Sequence, residues 1–238
     1  MNIAIIFAGG IGSRMKNPDL PKQFLEIDNT PILVHTIRAF QNNDEIDKII
    51  VVMLKEYIEY TKKLMAHYEL DKVVAIVEGG ATGQESIYHG LVAASRVSRN
   101  DSDIVLIHDG VRPIIEPDLI HRNIESVENY SSAISCSPSK ETIAKIDENG
   151  CVVKTIKRSA VWIARAPQSF FLKDILEAHE KAQKNNEFDS TDSCTLMSTY
   201  SNKPLHSVET WAENIKITTP DDYYTATALI KKLKDNDE

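Results

Sequence analysis

The 238-residue sequence contains no long apolar run. Its most hydrophobic stretches, 3–8 and 49–54, are strand-length and too short to cross a bilayer. No basic segment precedes the first of them, so a signal peptide is not expected, and a cytoplasmic location is. Cysteine is scarce. The three present, Cys136, Cys151 and Cys194, are odd in number and lack Cys-x-x-Cys spacing. That argues against a disulfide framework or a cysteine zinc site and fits free thiols in a reducing compartment. Positive charge is also short: 27 Lys and Arg against 35 Asp and Glu give a net charge of −8. Nonspecific nucleic-acid binding needs a basic footprint and is disfavoured. An anionic small molecule remains possible where a few cations converge. There is no repeat, low-complexity tract or obvious linker. With 42% hydrophobic residues, the chain can bury one good-sized core, so a single domain over 1–238 is expected.

What is present alternates β-rich runs (3–7, 48–54, 73–77, 104–108) with helix-spaced ones (31–40, 56–68, 84–97, 118–127), with Pro31 and Pro117 suited to first turns. This order predicts an α/β fold, a mostly parallel sheet with helices on both faces. Ligands in such sheets lie beyond the carboxyl ends of the strands. From 136 to 158 the helical rhythm fails. Residues 142–146, a turn at 147–150 and 152–156 read as a β-hairpin, a projecting arm suited to dimer contact. A strand near 161–164, helices over 172–185 and 191–200, strands near His206 and Ile215, a helix over 220–232 and a charged tail complete the pattern.

The loop after the first strand reads Phe7-Ala8-Gly9-Gly10-Ile11-Gly12-Ser13-Arg14-Met15, followed by Pro21-Lys22-Gln23-Phe24. Closely spaced glycines bring backbone N–H groups near a ligand without Cβ interference, and Arg14 and Lys22 add positive charge, a combination suited to a triphosphate. A dinucleotide fingerprint would place a third glycine where Met15 stands, and a Walker loop would end in Gly-Lys-Ser/Thr; neither is met. A plain βα turn is the structural alternative. His108-Asp109 closes the fourth strand. Mg²⁺ on a nucleotide takes one or two carboxylates with phosphate oxygens and water, which fits Asp109. A short Asp-x-x-Arg pair with Arg112 is the competing reading. A lone histidine at a strand end is more often packed than ligating, so His108 is left out of the site.

Five motifs stand in one order: the loop Gly10 to Met15, Pro21-Lys22-Gln23-Phe24, Asp109-Gly110-Val111-Arg112-Pro113, Pro167-Gln168-Ser169-Phe170 and Asn214-Ile215-Lys216. Over nearly the whole chain, this resembles the cytidylyltransferases that make CDP-methylerythritol or CDP-ribitol. The resemblance implies a nucleotidyltransferase fold (glycosyltransferase-A-like), CTP and a sugar-alcohol phosphate as substrates, Mg²⁺ on Asp109, and a homodimer. It also implies residue roles. Arg14, Lys22 and Lys216 would act on the phosphates, with Ala8, Gly9, Gly10, Gly12, Gly80 and Ser86 around the nucleotide. Arg112, Thr142, Arg158 and Asp192 would contact the acceptor, Thr142 and Arg158 from a neighbouring subunit's arm. For those two, a strand threonine and a solvated arginine are the bland alternatives. The chain departs from the pattern at Gly83, where relatives usually carry Arg, and at Ala166, where they usually carry Thr.

A phosphate monoester with a second pKa near about 6 is already dianionic at neutral pH, so no protein nucleophile is required, and the sequence offers no convincing triad. Catalysis would come from positioning and charge stabilisation. Several segments look closer to ribitol-phosphate enzymes: Leu20 to Phe24, His35-Thr36-Ile37, His108 to Arg112, Thr191 to Cys194 and Lys216 to Pro220. Arg158 with Trp162 resembles the methylerythritol enzymes. Ribitol 5-phosphate, for wall or capsule polymers, is therefore the narrow preference and the isoprenoid acceptor the runner-up. A non-catalytic nucleotide-binding module and an NAD-dependent oxidoreductase are the alternatives of other classes.

Overall fold

The computed structural model of the chain describes residues 1–10, 20–100 and 102–237. Gly12 and Arg14 lie outside them. In chain order the elements are β1 (Asn2–Ala8), β2 (Glu26–Ile27), β3 (Thr30–Pro31), α1 (Ile32–Gln41), β4 (Lys48–Met53), α2 (Ile58–His67), β5 (Val73–Glu78), α3 (Gly83–Val97), β6 (Ile104–Asp109), α4 (Leu119–Tyr130), β7 (Ser132–Pro138), β8 (Ile143–Ile146), β9 (Val152–Ile156), β10 (Trp162–Phe171), α5 (Leu172–Lys184), α6 (Ser193–Tyr200), β11 (Ser207–Glu209) and α7 (Pro220–Asp237).

The strand residues alternate between two apolar layers, which is why 3–8 and 49–54 read as continuous hydrophobic runs. Ala4, Ile6, Ile49 and Val51 pack with Leu33, Ile37 and Phe40 of α1 and Ile120, Ile124 and Val127 of α4. Ile3, Ile5, Ile50 and Val52 face the other way, onto Ile87, Leu91 and Ala94 of α3, Ile175 and Ala178 of α5, and Leu196 of α6. The seven-stranded sheet runs β11-β7-β10-β6-β1-β4-β5. β6, β1, β4 and β5 are mutually parallel, and β10 runs antiparallel to both of its neighbours. A third apolar cluster, with Val111, Ile114, Ile217 and Ala226, docks α7 beside the end of β6.

Four local expectations are corrected. The arm starts later than residue 136: Cys136 is buried and pairs with Ala164 in the central sheet, and the hairpin proper is β8 with β9. Ile215 forms no strand; its segment is irregular and is held by Ile217 N–H donating to the Val111 carbonyl at 2.9 Å. The last helix continues to Asp237 instead of fraying near 232. Pro31 is the N-cap of α1, and Pro117 precedes Asp118, the N-cap of α4, so each proline falls just before the helix. No helix among the described residues is long and apolar enough to cross a membrane.

Candidate active site

Two clefts open past the strand ends and share a wall. The larger, about 620 Å³, is lined by Ala8, Gly9 and Gly10 after β1, by Lys22, and by Gly80 and Ser86 around the loop after β5. The smaller, about 290 Å³, is lined by Arg112, Arg165, Gln168 and Asp192, with Ile87, Ile107, His179 and Leu196 among its apolar side. Phe7, Gly83, Asp109 and Lys216 border both.

The loop after β5 is shaped by its own side chains. Thr82 caps α3 by accepting from Glu85 N–H at 3.1 Å, and the Glu85 carboxylate accepts from Ala81 N–H at 2.7 Å. Such reciprocal capping satisfies donors that a helix start leaves open. Ser86 Oγ accepts from Gly80 N–H at 3.1 Å and donates to the Thr82 carbonyl at 2.9 Å. A Cβ on Gly80 would stand 2.2 Å from the Glu85 Cβ, so this turn requires glycine. A Cβ on Gly83 would meet nothing within 4 Å. The wall is therefore open where relatives are expected to carry a long cation.

Asp109 is 6% exposed and doubly paired. Arg112 Nε donates to Oδ2 at 2.7 Å, and Lys216 Nζ lies 2.6 Å from Oδ1. Burial works against its ionisation, but the two cations outweigh it and hold the carboxyl at about 2, so it is charged at neutral pH. Arg112 also donates to the Asn214 carbonyl at 2.9 Å, and Asn214 Nδ2 donates to the Ala166 carbonyl at 2.6 Å. The short Asp-x-x-Arg pair thus exists, and it clamps the end of β6 to β10. Lys22 Nζ donates to the Ile217 carbonyl at 3.0 Å, tying the loop after β1 to the segment that carries Lys216.

His108 is fully buried, as a packed histidine should be. Its ring meets Phe40 edge-on, and Nε2 bonds the Arg112 carbonyl at 3.0 Å. Burial pushes it down to about 4, so it is neutral and donates from Nε2. Asp192 lines the smaller cleft but is already engaged. Oδ1 accepts from Thr195 N–H at 2.8 Å as the N-cap of α6, and Oδ2 accepts from Gln168 Nε2 at 2.9 Å. Thr142 and Arg158 border neither cleft of their own chain; both are exposed on the arm.

Three residues escaped the sequence reading. Buried Gln23 donates to the Ala8 carbonyl at 2.8 Å and fixes the end of β1. Gln84 accepts from Ser190 N–H at 2.6 Å and donates to the Glu187 carbonyl at 3.0 Å, holding the loop before α6 against α3. Arg165 brings a third cation to the smaller cleft. Gln23 stands inside the Pro21 to Phe24 motif and Arg165 two residues before Pro167, which was the available signal; the partners of Gln84 lie more than a hundred positions away.

The chain matches the model of the family IspD: 2-C-methyl-D-erythritol 4-phosphate cytidylyltransferase over residues 2–232. It belongs to the IspD family. Members are nucleotidyltransferases, and this chain is accordingly a cytidylyltransferase. It is 46% identical over 229 residues to a protein of Streptococcus agalactiae serotype V named ribitol-5-phosphate cytidylyltransferase, covering 96% of this chain and 95% of that one. It is 39% identical over 234 residues to a 2-C-methyl-D-erythritol 4-phosphate cytidylyltransferase of Clostridium novyi, covering 98% of each. Among solved structures, the 4-diphosphocytidyl-2C-methyl-D-erythritol synthase of Anaerococcus prevotii superposes with a TM-score of 0.82 at 30% identity, over 97% of this chain and 98% of that one. The expected mostly parallel α/β architecture is thus the architecture of the IspD family.

Proposed function

We propose that this chain transfers CMP from CTP to D-ribitol 5-phosphate, releasing pyrophosphate. The observation that carries this reading is the pair of adjoining clefts meeting at Asp109 and Lys216. A nucleotide in the larger cleft and a phosphorylated polyol in the smaller would bring two phosphates together at that wall. The choice of ribitol rests on the 46% identity to the Streptococcus agalactiae protein, against 39% to the Clostridium novyi one. 2-C-Methyl-D-erythritol 4-phosphate is the second reading, favoured by Arg158 and Trp162 on the arm side.

In the reaction, an oxygen of the acceptor phosphate forms a bond to the α-phosphorus of CTP while the bond to the bridging oxygen of pyrophosphate breaks. The acceptor arrives ionised, so the protein need not remove a proton. Its task is to hold two anions together and stabilise the charge that grows on the α-phosphate and the departing group. Lys22 and Lys216 supply charge on the nucleotide side, with Arg14 of the glycine loop as the third member of the set. Gly9 and Gly10 permit close backbone approach, and Gly80 and Ser86 would flank the base. Arg112 and Asp192 would face the acceptor.

The donor set fits Mg²⁺ carried in on a triphosphate. Asp109 is ionised and borders both clefts. Among the described residues no three His, Cys, Asp or Glu cluster. That matches an ion which keeps phosphate and water as most of its ligands. Asp109 would hold it, and Lys216, whose side chain is 40% exposed, has room to shift onto a phosphate. Bound there, Mg²⁺ would neutralise phosphate charge.

We also propose a homodimer. A lone chain leaves Ile146, Val152 and Val153 of the arm and Trp162 and Ile163 at its base in water. An apolar arm of this kind suits burial against a second copy, which would deliver Thr142 and Arg158 to the partner's acceptor cleft.

The test is pyrophosphate release from CTP and Mg²⁺ with each polyol phosphate in turn, with the CDP-alditol identified by mass. Ribitol 5-phosphate should give the higher kcat/KM. Preference for the methylerythritol phosphate would reverse the acceptor assignment, and release with neither would remove the acceptor reading altogether.

A further inference from the structure

The smaller cleft contains a cation that the scheme above does not use. Arg165 of β10 lines it beside Asp109, Arg112, Asp192 and Lys216. These neighbours are already engaged: Arg112 and Lys216 share Asp109, and Asp192 caps α6 and accepts from Gln168. Arg165 is half-buried, and its Nε donates to Ser137 Oγ at 3.1 Å. Among the described residues no carboxylate pairs with it. The cleft therefore holds three cations against two carboxylates, and Arg165 is the member of the set without a carboxylate.

Two physical features make this arrangement informative. Burial, then repulsion from Arg112, weigh against its charge, and attraction from Glu213, which forms no ion pair with it, offsets them only in part; yet a guanidinium does not deprotonate in a protein. A partly desolvated cation without a paired anion is unfavourable unless a ligand supplies one. In addition, the register between β10 and β7 shifts between Ala164 and Gln168, where four steps along β10 (164 to 168) match two along β7 (136 to 134). Such irregularities re-aim side chains beside binding sites, and Arg165 lies inside this one.

We propose that Arg165 binds the acceptor's phosphomonoester from within the same chain. Acceptor affinity then does not depend wholly on an arm from a neighbouring subunit. This inference rests on the transferase reading above. The ligand chemistry is a phosphate dianion, which both the polyol phosphate and the pyrophosphate end of the nucleotide could offer.

Arg165→Gln, Arg165→Lys and Ser137→Ala separate the sources. In Arg165→Gln, KM for the polyol phosphate should rise at least about tenfold, the scale of a lost charge-assisted bond. KM for CTP and inhibition by pyrophosphate should stay within about twofold of wild type. Arg165→Lys should recover part of the loss, and Ser137→Ala should leave KM close to wild type. An unchanged acceptor KM in folded Arg165→Gln overturns the proposal. So does a rise confined to CTP and pyrophosphate, which would place Arg165 on the nucleotide, or a Ser137→Ala variant as impaired as Arg165→Gln, which would make the role structural. Calorimetry with inorganic phosphate keeps the two readings apart. A wild-type chain that binds phosphate through Arg165 but transfers nothing defeats the transferase reading and leaves the anion site. Normal transfer with no dependence on Arg165 defeats the site alone.

Discussion

Lys216 Nζ stands 2.6 Å from Asp109 Oδ1, joining two residues more than a hundred positions apart on the wall between the clefts. Arg112 occupies the other carboxylate oxygen. Replacing Asp109 with Asn would leave two cations facing each other in a buried setting. Removing one partner of a buried pair destabilises by about 3–5 kcal/mol; partial exposure of Lys216 sets the expectation at the lower end. Asp109→Asn should lower the thermal midpoint and abolish turnover together. Normal turnover in a folded Asp109→Asn chain would detach this carboxylate from the chemistry.

Lys22 should behave differently. It bonds a backbone carbonyl near the surface of the cleft, so Lys22→Ala is expected to fold and melt close to wild type. If it stabilises the transition state as a donor, turnover should fall by about 10²–10³. Circular dichroism and steady-state kinetics on the same preparation check both halves.

The glycines of the loop after β5 make a paired prediction. Gly80→Ala would put a methyl 2.2 Å from the Glu85 Cβ and displace the turn. Overpacking should destabilise by about 1–3 kcal/mol, and KM for CTP should rise. Gly83→Ala meets open space at the start of α3 and should stabilise by about 0.4–1 kcal/mol by restricting the unfolded chain. Equal effects of the two substitutions would show that the turn is not shaped by this contact.

His179 gives a pH prediction. It is buried on α5, neither ring nitrogen has a hydrogen-bond partner among the described residues, and burial pushes it down to about 4 from the usual 6.5. Between those values the unfolded chain binds the proton and the folded chain does not. Stability is therefore intact above about 6.5 and falls as the pH drops toward 4. His179→Phe should flatten the dependence of the urea midpoint over that window. An unaltered profile would assign the acid sensitivity elsewhere.

The arm offers a test of assembly. Val152→Asp on its exposed face should leave the chain folded yet shift sedimentation from dimer to monomer, with a fall in turnover per chain. A fully active monomer would mean that each chain completes its own site.

The parallel strands and the loops after β5 and β6 were legible because each is written in contiguous residues, apolar runs that stop at glycine or an acidic residue; most of the loop after β1 lies outside the described residues. Asp109 could be placed from its position at a strand end, and its pairing with Arg112 from their spacing. What could not be read was how distant backbone groups are recruited. Ile215 resembles a strand by composition, but one bond from Ile217 to Val111 and the packing of α7 fix its path instead. The link from Arg112 through Asn214 to Ala166 depends on three segments meeting, and no local pattern encodes it. Cys136 looked like the start of the arm because the helical rhythm stops there; it is the central sheet that continues.

β10 runs opposite to the strands that carry the glycine loop and Asp109. Its opening residues therefore arrive at the same end of the sheet as the carboxyl tip of the antiparallel neighbour β6, coming directly from the arm. On the proposed reading, the groups that meet the acceptor along 164–168 stand on a strand of opposite polarity to those that end at the glycines and Asp109. Substitutions there would then be expected to change the KM for the polyol phosphate while that for CTP stays as it is.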